Sequence, residues 1–364
     1  MLTENSAGST SKELAEFFRS VPSRVEVFRT IYHYGELSRA EIARLTGLTK
    51  VTVSDVVSQL NSFDLIRESE PQRSSAPGKP PIFVQLNRDA IRALAVDISS
   101  STAIRIASID LFGRILSSSS LPIAAHDPEV LFEDIVAAIQ LEINRHDMTI
   151  LGIGVGAAGV VNDLGQVMEG AALGLHGFSL QDRLAERFGV EVRVANDANV
   201  ATKADALFGG GGTSQLLVRI AEGVGAGLLL DSNAYLGSNF AAGEIGHVVV
   251  HPGGQQCGCG KVGCLESEVS KLLSQSPPDT QMVGVMLGKA LAPIASVLNL
   301  SEIVISAHPD AEEEELLSAL FDQIESVTLP GISEHLTVRF SKLGDDIVLL
   351  GAAALALSAV LGVS

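Results

Sequence analysis

Long apolar runs are missing from this chain of 364 residues. Although 46% of it is apolar, no uninterrupted stretch reaches the roughly 18 to 20 residues needed to cross a bilayer, so membrane insertion is not expected. The first residues, MLTENSAGSTSKELAEFF, lack the basic start and apolar core of a secretory signal, which makes the cytoplasm the expected location. Cysteine is scarce, and three are too few for a disulfide scaffold. Basic charge is short as well: 25 Lys and Arg face 43 Asp and Glu, for a net charge of -18. A uniform deficit of that size would argue against nucleic acid, because phosphate contacts need clustered cations. The deficit is not uniform. Residues 1 to 90 hold 11 basic and 11 acidic residues, so the remainder carries 14 against 32. Only a neutral head on an acidic body is electrostatically suited to approach DNA.

The length exceeds what one hydrophobic core usually supports, so two or three compact units are expected. In the head, residues 25 to 34 (VEVFRTIYHY) carry apolar side chains at helical spacing and end at Gly35, which predicts a first helix. Ser38, with Glu41 three residues on, forms a capping box for a second. Gly47 and Leu48 make a tight turn, and Thr49 caps a third whose Val53, Val56, Val57 and Leu60 face inward. This is a helix-turn-helix pattern. A three-helix protein-interaction module shares it.

On the DNA reading, the outward groups of the third helix and its flanks, Ser38, Thr49, Lys50, Thr52, Ser54 and Ser58, meet phosphates and base edges in a major groove. Asp55 on the same face repels phosphate and would accept from a cytosine amine or pair with a basic neighbour. Residues 65 to 67 and 82 to 86 are predicted strands. The loop between them, rich in Ser, Pro and Gly, forms a wing whose Arg73 and Lys79, with Arg67, touch the backbone.

Beyond residue 92 the strand ALAVDI, the polar turn SSST, the strand AIRIASIDL and a turn at Gly113 form a hairpin pattern. A helix from Pro128 to His146 and the strand ILGIGVGAAGVV follow. A similar order after residue 214 predicts two mixed α/β lobes with a ligand cleft between them.

Residues 244 to 268, EIGHVVVHPGGQQCGCGKVGCLESE, resemble the signature of the ROK family of repressors, open reading frames and sugar kinases. ANDANVA at 195 to 201, LGDDIVLLGAAALAL at 343 to 357 and a winged helix-turn-helix ending in GKPP extend the resemblance over essentially the whole chain. It implies a winged helix-turn-helix followed by a two-lobed, actin-like and ribonuclease-H-like body of the ROK sugar kinase type. The expected boundaries are 1 to 86 for the head, 87 to 194 with 344 to 364 for the first lobe, and 195 to 343 for the second. The chain is similar to the glucose- and N-acetylglucosamine-responsive repressors of that family.

All three cysteines, Cys257, Cys259 and Cys264, fall within eight residues among Gly258, Gly260 and Gly263. Soft thiolates on a tightly folding backbone, with one imidazole, suit a closed tetrahedral zinc site, one ion per chain and structural. His247 and His251 compete for the fourth position, and the family pattern favours His247. The resemblance also implies a sugar site of Asn196, Asp197, Glu244, His247 and Glu266, in which the Asp of NDAN is the general base of the kinases. A helix N-cap is the alternative role for Asp197.

ATP-using members begin the body with Asp-x-Gly-Gly-Thr. Here the segment reads Asp97-Ile98-Ser99-Ser100-Ser101-Thr102, Ala221-Glu222 stands where kinases carry Gly-Thr, and Ser306-Ala307-His308-Pro309 replaces a third glycine-rich stretch. These changes point to a regulator whose body binds a sugar or sugar phosphate without phosphoryl transfer and adjusts affinity for a palindromic operator. Such an operator requires a dimer or tetramer. A ROK sugar kinase with an added DNA-binding arm, control by a sugar-transport protein partner, and activation in place of repression stay open.

Overall fold

The computed structural model describes residues 6–69, 82–146, 148–307 and 314–361. The head opens with a helix that the sequence reading missed, α1 (Ser6–Ser20), followed by α2 (Pro22–Tyr34). Pro22 sits in the first turn of α2, where its missing N–H is harmless, so this helix begins three residues before the expected Val25. Gly35, at φ 76°, ends it. The turn strand β1 (Leu37–Ser38), α3 (Arg39–Thr46), α4 (Lys50–Ser62), β2 (Ile66–Glu68) and β3 (Phe83–Leu86) complete the head. The capping box forms as expected: Ser38 Oγ accepts from the Glu41 N–H at 3.3 Å, and Glu41 Oε2 accepts from the Ser38 N–H at 2.8 Å. Gly47, left-handed at φ 72°, turns the chain into α4, where Thr49 Oγ1 accepts from the Thr52 N–H at 3.1 Å. The head is therefore a helix-turn-helix beside a three-stranded sheet ordered β1-β3-β2. Arg73 and Lys79, on the expected wing tip, lie outside the described residues.

The first sheet of the body is built from β4 (Ile91–Ile98), β5 (Ala103–Asp110), β6 (Ile115–Pro122), β7 (Thr149–Ala157) and β11 (Glu191–Asn196), ordered β11-β7-β4-β5-β6. The expected hairpin is thus a three-stranded meander. Its edge strand β6 went unread because it is a run of serines whose half-buried face only the neighbouring strand defines. Helix α5 (Pro128–Ile143) stops three residues short of the expected His146. Arg92, buried on β4, explains the stop: its guanidinium donates to the carbonyls of Glu142, Ile143 and His146 at 3.2, 2.9 and 2.9 Å, satisfying the open end of the helix. Between β7 and β11 lie a small sheet of β8 (Val160–Val161), β9 (Val167–Gly170) and β10 (Leu175–Phe178), and α6 (Leu180–Phe188).

Helix α7 (Asp197–Ala204) leads to the second sheet, β12 (Gln215–Ile220), β13 (Val224–Leu230), β14 (Asn233–Ala234), β15 (Glu302–Ser306) and β16 (Thr337–Phe340), ordered β14-β13-β12-β15-β16. Its helices are α8 (Leu265–Leu273), α9 (Thr280–Leu298), α10 (Glu314–Val327) and the short α11 (Pro330–Ser333). The last helix, α12 (Ile347–Leu361), returns to pack on β7, β4, β11 and α7.

Two segments, α9 and residues 344–361, are long and apolar enough by composition to span a membrane, a property hidden from a search for uninterrupted runs. Half of the first window and two thirds of the second are buried inside the fold, as expected of core helices.

The return of α12 depends on missing side chains. A Cβ on Gly154 of β7 would stand 1.8 Å from the Ala352 carbonyl oxygen, and one on Gly351 would stand 1.9 Å from that of Val200. Backbone meets backbone at both places, so neither neighbour can rotate away. The head joins the same core: α1 lies against β7 and α12, and Tyr32 of α2 stacks on Phe112 with ring centroids 5.4 Å apart. Gly351→Leu is expected to cost about 3 kcal/mol, the upper end of overpacking penalties. Thermal unfolding of the variant checks this, and an unchanged midpoint would contradict the contact.

Candidate ligand cleft and metal centre

The segment Ala195–Asn199 turns from β11 into α7 and places two polar side chains at one helix start. Asn196 is the cap: its Oδ1 accepts from the Asn199 N–H at 3.1 Å, while its amide donates to Gly159 O at 2.9 Å and Asp197 Oδ1 at 3.0 Å. The capping role considered for Asp197 therefore belongs to its neighbour. Asp197 is left with one oxygen for an ion pair, 2.8 Å from Arg219 Nη1 on β12. Burial pushes the Asp197 carboxyl above its ordinary value, Arg219 pulls it back, and Asp97 adds to the rise.

Glu244 precedes the turn Ile245–His247, and Glu266 occupies the first turn of α8. Burial raises the Glu244 carboxyl, His247 draws it down, and the charges of Asp197, Glu266 and Glu169 raise it again. The structure thus gathers Asp197, Glu244 and Glu266 into one electrostatic neighbourhood and adds two residues that sequence reasoning missed, Glu169 and Arg219. Glu266 Oε2 also accepts from the Val224 N–H at 3.0 Å. Several carboxylates around a partly desolvated space suit an uncharged, hydroxyl-bearing ligand that donates to them.

Beside this cluster, Nδ1 or Nε2 of His247 and the sulfurs of Cys257, Cys259 and Cys264 all lie within 4.8 Å of one another. Cys259 Sγ to Cys264 Sγ and Cys257 Sγ to His247 Nδ1 both measure 3.7 Å. A zinc–sulfur bond of about 2.3 Å gives a tetrahedral edge of roughly 3.8 Å, so the donor set fits such an ion. The thiols are pulled apart: the Lys261 amide foremost lowers Cys259, whereas burial, then the neighbouring thiols, pushes Cys264 up to about 12. His251 is outside the group, with its Nδ1 3.1 Å from Glu268 Oε2. Of the three glycines, Gly263 is demanded twice over, at φ 81° with a virtual Cβ 1.7 Å from the His251 oxygen, and Gly260 by its φ of 89°; Gly258 faces open space. Because Cys264 is the residue before α8 and His247 closes the turn after Glu244, the cluster ties Glu244 and Glu266 together.

Across the cleft, Glu222 takes up the loop where the sequence lacks glycines. Its carboxylate accepts from Ser100 Oγ at 2.6 Å and from the Ser101 N–H at 2.9 Å, linking the two sheets. Burial works to raise this carboxyl, but the Ser100 and Ser101 hydrogen bonds and Arg219 outweigh it and hold it below its usual range. Arg219 Nη2 donates to Ser99 Oγ at 3.0 Å, so one guanidinium bridges the Asp197 side and the serine loop. The surrounding cavity, about 640 Å³, is lined by Asp97, Arg105, Glu222 and Ser306 among others. His308 and Pro309 lie outside the described residues. Gly227 on β13 has a packing reason, since a Cβ there would meet Thr202 Oγ1 at 2.1 Å.

On the head, Lys50, Thr49 and Ser58 are exposed and Thr52 and Ser54 half-buried along α4. Val51, 70% exposed beside Lys50, was passed over as apolar. Ser38 spends its hydroxyl on Glu41, and Arg67 pairs with Asp89 at 3.1 Å.

A helix-turn-helix joined to a two-lobed body of the sugar-kinase type is the class that this fold and cleft define. Residues 93–272 match the model of the ROK family, and the chain carries a ROK family domain. The DNA-binding transcriptional dual regulator NagC of Escherichia coli is 28% identical over 92% of each chain, and a glucokinase of Halalkalibacterium halodurans is 29% identical over 71% of this chain and 92% of its own. A solved structure of a ROK family transcriptional regulator, a homologue of the E. coli Mlc protein, superposes with a TM-score of 0.79 at 22% identity, covering 93% of this chain and 96% of that one.

Replacing Arg219 by Met removes the counter-charge of Asp197, whose carboxyl then rises further in the folded protein. The folded chain retains a proton that the unfolded chain releases, so stability falls as pH climbs above about 4, the unfolded value. Unfolding midpoints between acidic and neutral pH are expected to fall more steeply in the variant than in the parent. Parallel curves would contradict the pairing.

Proposed function

We propose that this chain is a DNA-binding transcriptional regulator, most simply a repressor of carbohydrate-related genes. Its body binds a sugar or sugar phosphate without transferring phosphate. One observation carries the reading. The nucleotide half of the cleft is bridged by Glu222 on the Ser100–Ser101 loop, while the opposite half keeps Asp197, Glu244 and Glu266 together beside the Cys/His cluster. A carboxylate in that loop repels the phosphates that glycines would admit. In this reading Asn196, Asp197, Glu244, His247 and Glu266 face the sugar, Asp197 as a hydrogen-bond acceptor and not a base.

Ligand binding between lobes that share hydrogen bonds across the cleft changes their separation, and α1, packed on β7 and α12, carries the change to the head. The head reads one half-site through Lys50, Thr52, Ser54 and Ser58, with Thr49, Ser38, Arg67, Arg73 and Lys79 around them. A full operator therefore needs at least a dimer. The cytoplasm, where DNA and sugar phosphates meet, is its place of action. Zinc fits His247, Cys257, Cys259 and Cys264; when bound it supplies a closed structural crosslink with no open position for catalysis. Control by a protein partner in place of a sugar is the second outcome the experiments distinguish.

ATP turnover with a panel of hexoses is expected to be absent. Phosphoryl transfer that disappears in Asp197→Asn would replace the regulator reading with a kinase. Operator affinity of the purified protein is expected to fall on adding one of the free or 6-phosphorylated hexoses or N-acetylhexosamines, and indifference to all of them would favour the protein partner. Metal analysis should return about one zinc per chain, lost in Cys259→Ser. Lys50→Ala is expected to weaken operator binding and reduce the salt slope by about one phosphate contact.

A further inference from the structure

We propose that a second cavity, enclosed by α7, α12, the β13–β14 turn and the end of α2, binds a small amphipathic organic acid: a carboxylate on an apolar body. Its volume, about 460 Å³, falls within the range of small-molecule pockets. It is separate from the sugar cleft and the cysteine cluster, none of whose acidic or sulfur side chains line it. Its walls are mainly apolar, with Val200, Leu207, Leu229 and Leu355 among them.

Among the described residues, the only charged side chain lining the cavity is Lys203 on α7. It forms no hydrogen bond or ion pair with any described residue, and burial alone lowers its ammonium below the ordinary lysine range, with no neighbouring acid opposing this. A desolvated cation without a partner is unfavourable, and an anionic ligand removes that cost. One helical turn earlier, Asn199 also lines the cavity and is 9% exposed. The class of ligand follows from the combination. Inorganic phosphate would satisfy Lys203 but leave the apolar walls uncovered, and a sugar would set its hydroxyls against leucine and valine. An alkyl or aryl carboxylate matches both. His33, at the carboxyl end of α2, closes one side, so an occupant touches the head as well as the body.

Calorimetric titration of the full chain with octanoate, 1-octanol and inorganic phosphate tests the proposal. Octanoate is expected to bind, octanol at least tenfold more weakly, and phosphate not at all. Lys203→Met should bring octanoate down to the affinity of octanol and raise the thermal midpoint, since it removes an unpaired, partly desolvated cation. Ala234→Trp, at the exposed rim, should abolish both by covering the opening. The site is overturned if octanoate fails to bind at millimolar concentration, if it binds Lys203→Met as well as the parent, or if phosphate binds as tightly as octanoate. These outcomes do not depend on the sugar reading, which is tested by operator binding.

Discussion

Helix α12 comes so close to β7 and α7 that carbonyl oxygens occupy the space where Cβ atoms of Gly154 and Gly351 would stand. Much of the molecule is arranged by that approach. It brings Ile347–Leu361 onto the first sheet and gives α1 of the head a surface to lie on. It also fixes the height of α7 between the sheets. One end of α7 holds Asn196 and Asp197 at the cleft, and its last turns point Lys203 into a separate cavity. A helix displaced outward by one methyl diameter would move both.

Within that frame the cleft is a balance of several acids against few cations. Asp197, Glu266 and Glu169 raise the cost of ionising Glu244, and Arg219 is the cation paired with Asp197. The same guanidinium reaches Ser99, and Glu222 reaches Ser100 and Ser101, so the two lobes are held by charge-assisted hydrogen bonds. The Cys/His cluster stands at the other end of this arrangement and ties the turn after Glu244 to the start of α8. The acid cluster and the Cys/His cluster thereby share one short segment of chain.

Much of the local structure was legible because its cause is local. The capping box at Ser38, the turn at Gly47, the inward face of Val53 to Leu60 and the cysteine spacing each need only neighbours within a few residues. Helix α1, β6 and the early end of α5 were not legible, because each is decided by a distant partner: the packing surface of β7 and α12, the strand beside a run of serines, and the buried Arg92 on β4. Arg219 and Glu169 escaped for the same reason. No spacing rule relates an arginine on β12 or a glutamate on β9 to the aspartate at the start of α7.

The sequence by itself determined the chemistry available: three soft thiolates and two candidate imidazoles within a short span, a helix-turn-helix pattern, a set of carboxylates, and serines and a glutamate in place of glycines. Tertiary structure decided what those groups do to one another. It chose His247 over His251 and gave the cap to Asn196 in place of Asp197. It paired Asp197 with Arg219 and left Lys203 unpaired in an apolar cavity. The physical reason is that donor type and helix periodicity are written in adjacent residues, whereas burial and charge pairing depend on distances between segments that only the folded chain brings together.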